Sequence, residues 1–136
     1  NVNPELNIKG APYGAQSLVL IVTDPYVSRD GVIHWVLFNI DPGTTTIAEN
    51  SVPNGTTGIK ATQGLNDFNT NKYEGPCPSD NTTHDYVFKL YALGGWSKLK
   101  DDAHAKDVIA SMRLYTSRSI FMNETSLTGV YKKASD

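Results

Sequence analysis

The sequence holds a single cysteine, Cys77, among its 136 residues, so no disulfide can close within the chain. That fits a reducing compartment and makes the cytoplasm the expected location, with the periplasm or the extracellular space as the alternative. Long hydrophobic runs are also missing. The stretch SLVLIVTD falls far short of the roughly 20 apolar residues that a membrane span needs. Charge of one sign is nearly balanced, with 12 basic and 14 acidic residues and a net charge of −2. The basic residues are scattered and only Lys132 and Lys133 adjoin. With no basic stripe to neutralise a phosphate backbone, nucleic acid is not an expected partner. No internal repeat, long linker or signal peptide is legible. The chain opens NVNPEL without an initiator methionine, so removal of a leader or a first strand is expected. Three N-x-[ST] sequons, at Asn54, Asn81 and Asn123, read either as chance matches in an Asn- and Thr-rich chain or as glycosylation sites.

What is present is enough for a packed core: 39% hydrophobic and 19% charged residues. β-branched and aromatic density between turn signals marks the strands. QSLVLIVTD is apolar on both faces, as a central buried strand is, and ends at Asp24-Pro25. SRDG reads as a turn. VIHWVLFNI is the second strand; strict alternation puts His34, Val36, Phe38 and Ile40 on one face and Ile33, Trp35, Leu37 and Asn39 on the other. DPGTTTIAEN and VPNGTTG read as loops, and NKYEGPCPSDNTT as a long loop stiffened by Pro76 and Pro78. The strand DYVFKLYAL follows. In DDAHAKDVIASM, the positions Ala105, Val108, Ile109 and Met112 form a helical stripe, with Asp101 or Asp102 as the cap. SIFMNETSLTGVY closes the chain as one bent strand or two short ones. Strands first and a helix late argue for a mainly β fold rather than βαβ units.

Three polar residues stand where strands meet loops: Asp24, His34 and His84. Two imidazoles and a carboxylate suit three kinds of chemistry: holding a phosphate or carboxylate, ligating a metal, or acid–base catalysis. The plain alternative is a set of ordinary strand-end polar residues. His104 reads as a solvated side chain on the helix. Trp35 and Trp96 read as packing aromatics rather than ligand platforms. Cys77, pinned between two prolines and without a group to orient a base, reads as structural rather than nucleophilic.

LVLIVTDP, HWVLFNI, TQGLNDF and YEGPCPSDNTTHDYVFKLYAL come in the order and spacing of the phosphatidylethanolamine-binding protein family, which includes Raf kinase inhibitor protein and its bacterial and archaeal relatives. The opening NPELNIKGAPYGAQSLVLIV and the closing LTGVY also resemble that family, so the resemblance spans nearly the whole chain, 1–136, as one domain. It implies a large central antiparallel sheet packed on a smaller one, with a helix near the C-terminus. It implies a non-enzymatic binding protein whose small pocket takes phosphate, a phosphoethanolamine-like head-group or acetate. Residue by residue, the pocket would be lined by Asp24, His34, Gly75, Pro76, Cys77, His84 and Tyr86. The backbone N–H groups of Gly75 and Cys77 and the Tyr86 hydroxyl would serve as donors, and Asp24 would orient an imidazole. No cofactor is implied. Inhibition of a serine protease or kinase through the pocket rim is the second function the resemblance brings; a metal-dependent hydrolase built on Asp24, His34 and His84 is the third.

Three departures from the family pattern stand out. Asp24-Pro25-Tyr26 replaces the usual D-P-D. The segment Ser117, Arg118, Ser119, Ile120 lacks the histidine common in bacterial members. Set against the family pattern, roughly two dozen residues carrying its first strand or strands are expected upstream of NVNPEL; without them a sheet edge stays unpaired unless that segment or a partner, such as a second copy in a homodimer, covers it.

Overall fold

The computed structural model describes residues 2–25, 31–52, 57–75, 83–117 and 121–132. The turn SRDG and the prolines of the long loop fall wholly or mostly outside these residues. In chain order the elements are β1 (Leu6–Asn7), β2 (Ser17–Asp24), β3 (Val32–Ile40), β4 (Thr46–Ile47), β5 (Thr62–Gln63), β6 (Thr83–Leu93), α1 (Ala105–Ser117) and β7 (Phe121–Lys132). A five-stranded antiparallel sheet runs β5-β3-β2-β6-β7, and β1 pairs with β4 in a separate two-stranded sheet. The mainly β architecture expected from sequence is therefore present, with the helix late in the chain. No helix among the described residues is long and apolar enough to cross a membrane.

β2 is central because its run of five apolar residues, Leu18, Val19, Leu20, Ile21 and Val22, is buried and divides between the two faces of the sheet. On one face Leu18, Leu20 and Val22 join Trp35, Leu37 and Ile40, and Ile47 of the small sheet covers them. On the other face Val19 and Ile21 join Ile33, Val36 and Phe38 beneath Ala105, Val108 and Met112 of the helix. The result is three layers: small sheet, large sheet, helix. Fully burying one such side chain favours folding by about 1.5–3 kcal/mol, which makes the two apolar faces the main support of the scaffold.

Several local readings are corrected. Strict alternation fails along β3 because the strand carries two extra residues. Leu18 pairs with Ile40 but Leu20 with Leu37, so Phe38 and Asn39 together stand opposite Val19. Asn39 takes up the insertion in the left-handed region (φ 51°), which asparagine tolerates better than most residues. It then clamps the loop beyond β6 with two hydrogen bonds, donating to the carbonyl of Ser97 (2.7 Å) and accepting from its N–H (2.9 Å). The second insertion is His34: Val22 pairs with Trp35 and Thr23 with Ile33, which leaves the histidine without an opposite number. Each bulge shifts the alternation by one, so Ile40 packs with Trp35 and Leu37 rather than with Val36 and Phe38.

The loop DPGTTTIAEN also hides β4, whose two residues find their partner far upstream in β1. The helical stripe packs as expected, but its cap differs. His104 occupies the N-cap, its carbonyl accepting from the N–H of Val108 (3.2 Å), and Asp107 reaches back to accept from the N–H of His104 (3.1 Å). Asp101 and Asp102 do not cap the helix. His104 is half-buried, bridged to Leu65, rather than solvated. The closing segment is one strand, β7.

Candidate functional site

Asp24 ends β2 and His84 is the second residue of β6. The antiparallel register that pairs Thr23 with Val87 brings those two strand ends together. The Nδ1 of His84 lies 2.7 Å from Oδ2 of Asp24, with the carboxylate 1% and the histidine 6% exposed. A carboxylate only accepts, so the bridging proton belongs to Nδ1. Tyr86, two residues on along the same face of β6, is also buried, and its ring lies 6.4 Å from that of His84, nearly parallel to it.

His34 reaches this group through its bulge. With regular alternation it would share the helix-facing side of the sheet with Val36 and Phe38. As the inserted residue it turns to the side of Tyr86, edge-to-face at a ring separation of 5.3 Å. The chain before the long loop holds it there. The N–H of Glu74 donates to the carbonyl of His34 (3.1 Å), and Nδ1–H of His34 donates to the carbonyl of Glu74 (2.7 Å). Gly75 follows Glu74 directly in the chain.

Of the seven residues expected at the site, the structure brings together Asp24, His34, His84 and Tyr86, and Gly75 follows the Glu74 that holds His34. Pro76 and Cys77 lie outside the described residues. The histidines and Tyr86 are buried rather than placed on an open rim. Among the described residues, no group of three or more His, Cys, Asp or Glu side chains is placed to hold a metal ion. Asp24 faces an imidazole N–H instead of sharing a point with both rings.

Sequence reasoning missed four residues here: Asn66, Asp67, Phe68 and Glu74. Asn66, 1% exposed, is the hub. Its Nδ2 donates to the carbonyl of His34 (3.2 Å), the carbonyl of Lys72 (3.0 Å) and Oγ1 of Thr70 (2.8 Å). Its Oδ1 accepts from the N–H groups of Phe68 (2.9 Å) and Thr70 (3.1 Å). Asp67 bonds Ile33 twice, donating its N–H to the carbonyl (2.9 Å) and accepting the N–H at Oδ2 (2.7 Å). The signal was in the sequence: Asn-Asp after Gly-Leu is turn chemistry, since Asx side chains bond the backbone two residues on.

Two hydrogen-bond acceptors built into the fold therefore take the Nδ1–H of two buried imidazoles, one a carboxylate and one a carbonyl. The remaining chemistry falls to Nε2, a lone pair in the neutral ring and an N–H donor in the charged one. The two histidines differ in charge balance. The Nδ1 partner of His84 is a carboxylate, whereas that of His34 is a neutral carbonyl.

This scaffold and the order of its motifs match known proteins. The family model for phosphatidylethanolamine-binding protein matches residues 1–132. A UPF0098 protein of Methanothermobacter thermautotrophicus is 37% identical over 133 residues, covering 98% of this chain and 84% of the relative. A UPF0098 protein of Aquifex aeolicus is 34% identical over 137 residues, covering 98% and 75%. Two crystal structures superpose with a TM-score of 0.81 over 98% of this chain and 82% of theirs. One is a phosphatidylethanolamine-binding protein homologue, CT736, of Chlamydia trachomatis, 31% identical. The other is YbcL of E. coli, described as a new member of the mammalian family and 27% identical. The chain belongs to the phosphatidylethanolamine-binding protein family.

Proposed function

We propose that this protein is a non-enzymatic binding protein whose ligand is a small anion, a phosphate or phosphorylated head-group, held at the Asp24–His34–His84–Tyr86 cluster. The observation that carries this reading is the pairing of each buried imidazole, through Nδ1, with an acceptor fixed by the fold. Asp24 holds the plane of His84. The Glu74 carbonyl holds that of His34 and leaves its charge uncompensated. A protonated His34 then supplies both an N–H donor and the charge that offsets the anion. The family resemblance adds the Tyr86 hydroxyl and the backbone N–H groups of Gly75 and Cys77 as further donors in this reading. An imidazole held through Nδ1 before the ligand arrives costs little ordering on binding.

The test is titration calorimetry with inorganic phosphate and phosphoethanolamine near pH 6, where an imidazole carries substantial charge. The wild type binds both. Replacing His34 with alanine weakens binding by about 1.5–3 kcal/mol, the worth of a hydrogen bond to a charged group, or roughly 10- to 150-fold. A wild type that binds neither anion, or a His34→Ala variant that binds both unchanged, contradicts the proposal.

A further inference from the structure

Phe68 stands beside the imidazole of His34, edge-to-face with a ring separation of 5.2 Å and an interplanar angle of 65°. It leaves 50% of its surface in solvent, while His34 is only 6% exposed and Tyr86, on the same imidazole, 4%. A half-bare phenyl ring forgoes burial that would favour folding. The turn that carries it is nevertheless fixed on every side. Asn66 bonds the N–H groups of Phe68 and Thr70 and, through Nδ2, the carbonyl of His34. Asp67 is tied twice to Ile33, the residue before the histidine. Asn69 closes the turn in the left-handed region (φ 57°). The chain thus spends a saturated buried asparagine on holding an exposed aromatic ring against the group that would bear the anion's charge. Of the exposed large apolar side chains, Phe68 is the one in ring contact with His34.

We propose that Phe68 is a specificity-determining residue. Its free face packs on the organic substituent of a bound anion, so that the site selects anions carrying an apolar group over those that do not. This rests on the anion-binding reading above. It adds the class of ligand: a phosphate or phosphonate whose substituent next to the charged group is apolar, preferably flat enough to lie against a ring.

The experiment compares phenylphosphonate with methylphosphonate by calorimetry near pH 6. The two share a head-group and differ in the substituent. The wild type is expected to bind phenylphosphonate about three- to tenfold more tightly, the range of an aromatic pair contact. Phe68→Ala should bring phenylphosphonate down to the methylphosphonate affinity and leave methylphosphonate within about twofold. Phe68→Tyr, which keeps the ring, should retain the preference, and serves as the comparison if the alanine variant folds poorly. A wild type that binds both anions equally overturns this inference and leaves the anion site standing. So does a Phe68→Ala variant that keeps the preference or weakens both anions alike. A wild type that binds neither removes the anion site and this inference together.

Discussion

Replacing Asp24 with alanine takes the acceptor from the Nδ1–H of His84 in a place water hardly reaches, since the two side chains are 1% and 7% exposed. A buried donor left without a partner costs about 1–3 kcal/mol when neutral, and breaking a buried charged pair about 3–5 kcal/mol. A loss on the order of 3 kcal/mol is therefore expected, a large share of the roughly 5–15 kcal/mol that stabilises a domain. His84→Ala should cost a similar amount, because it strands the carboxylate instead. The double variant should lose clearly less than the sum, since neither buried group is then left facing an absent partner. Urea unfolding followed by the fluorescence of Trp35, 1% exposed, measures all four proteins of the cycle. The coupling energy should be at least about 1 kcal/mol, within the range for residues in direct contact. The cycle also separates the pair from the other interactions of Asp24, which both backgrounds lose equally. Additive losses, with a coupling below about 0.5 kcal/mol, would refute the pairing as a stabilising and orienting contact.

Asn66→Ala removes five hydrogen bonds of a fully buried side chain, so a loss of at least about 3 kcal/mol is expected in the same unfolding experiment, together with weaker anion binding as His34 and Phe68 lose their support. Gly64→Ala would place a Cβ 2.9 Å from the carbonyl oxygen of Ala103 and 3.1 Å from Val36, and should cost about 1–3 kcal/mol as overpacking does. Burial raises the pKa of Tyr73, so the stability it contributes is complete below the usual phenol value near 10 and is lost as pH rises through the higher folded-state value. Tyr73→Phe should make the alkaline decline in melting temperature shallower, and an unchanged decline would count against that origin.

Much of the fold was legible because its strong signals agree. SLVLIVTD is apolar on both faces and became the central strand; the Ala105, Val108 and Met112 stripe became the packed side of the helix. What failed was what depends on one residue. An insertion in a strand leaves no mark in composition, so alternation put His34 on the wrong face, and only pairing against β2 reveals the bulge. Leu6 and Asn7 pair with Ile47 and Thr46 across a long separation, which two residues of β-propensity cannot announce. The family motifs named Asp24, His34, His84 and Tyr86, which the structure places together. Of the residues that position them, Asn66 left only a turn signal and Glu74 left none: the carbonyl that fixes His34 is a property of the chain's path, not of the glutamate side chain.

The central claim is that a protonated imidazole holds the anion. It is tested most directly by the pH dependence of binding of acetate, whose own charge does not change across the imidazole range. NMR titrations at a series of pH values from about 5.5 to 8.5, following the ring protons of His34 and His84, give both the affinity and the group responsible. The His34 resonances should respond to acetate, and affinity should be greatest at the acid end and fall as pH rises. Affinity that stays flat across this range, or acetate binding that leaves the His34 resonances unmoved, would contradict the account.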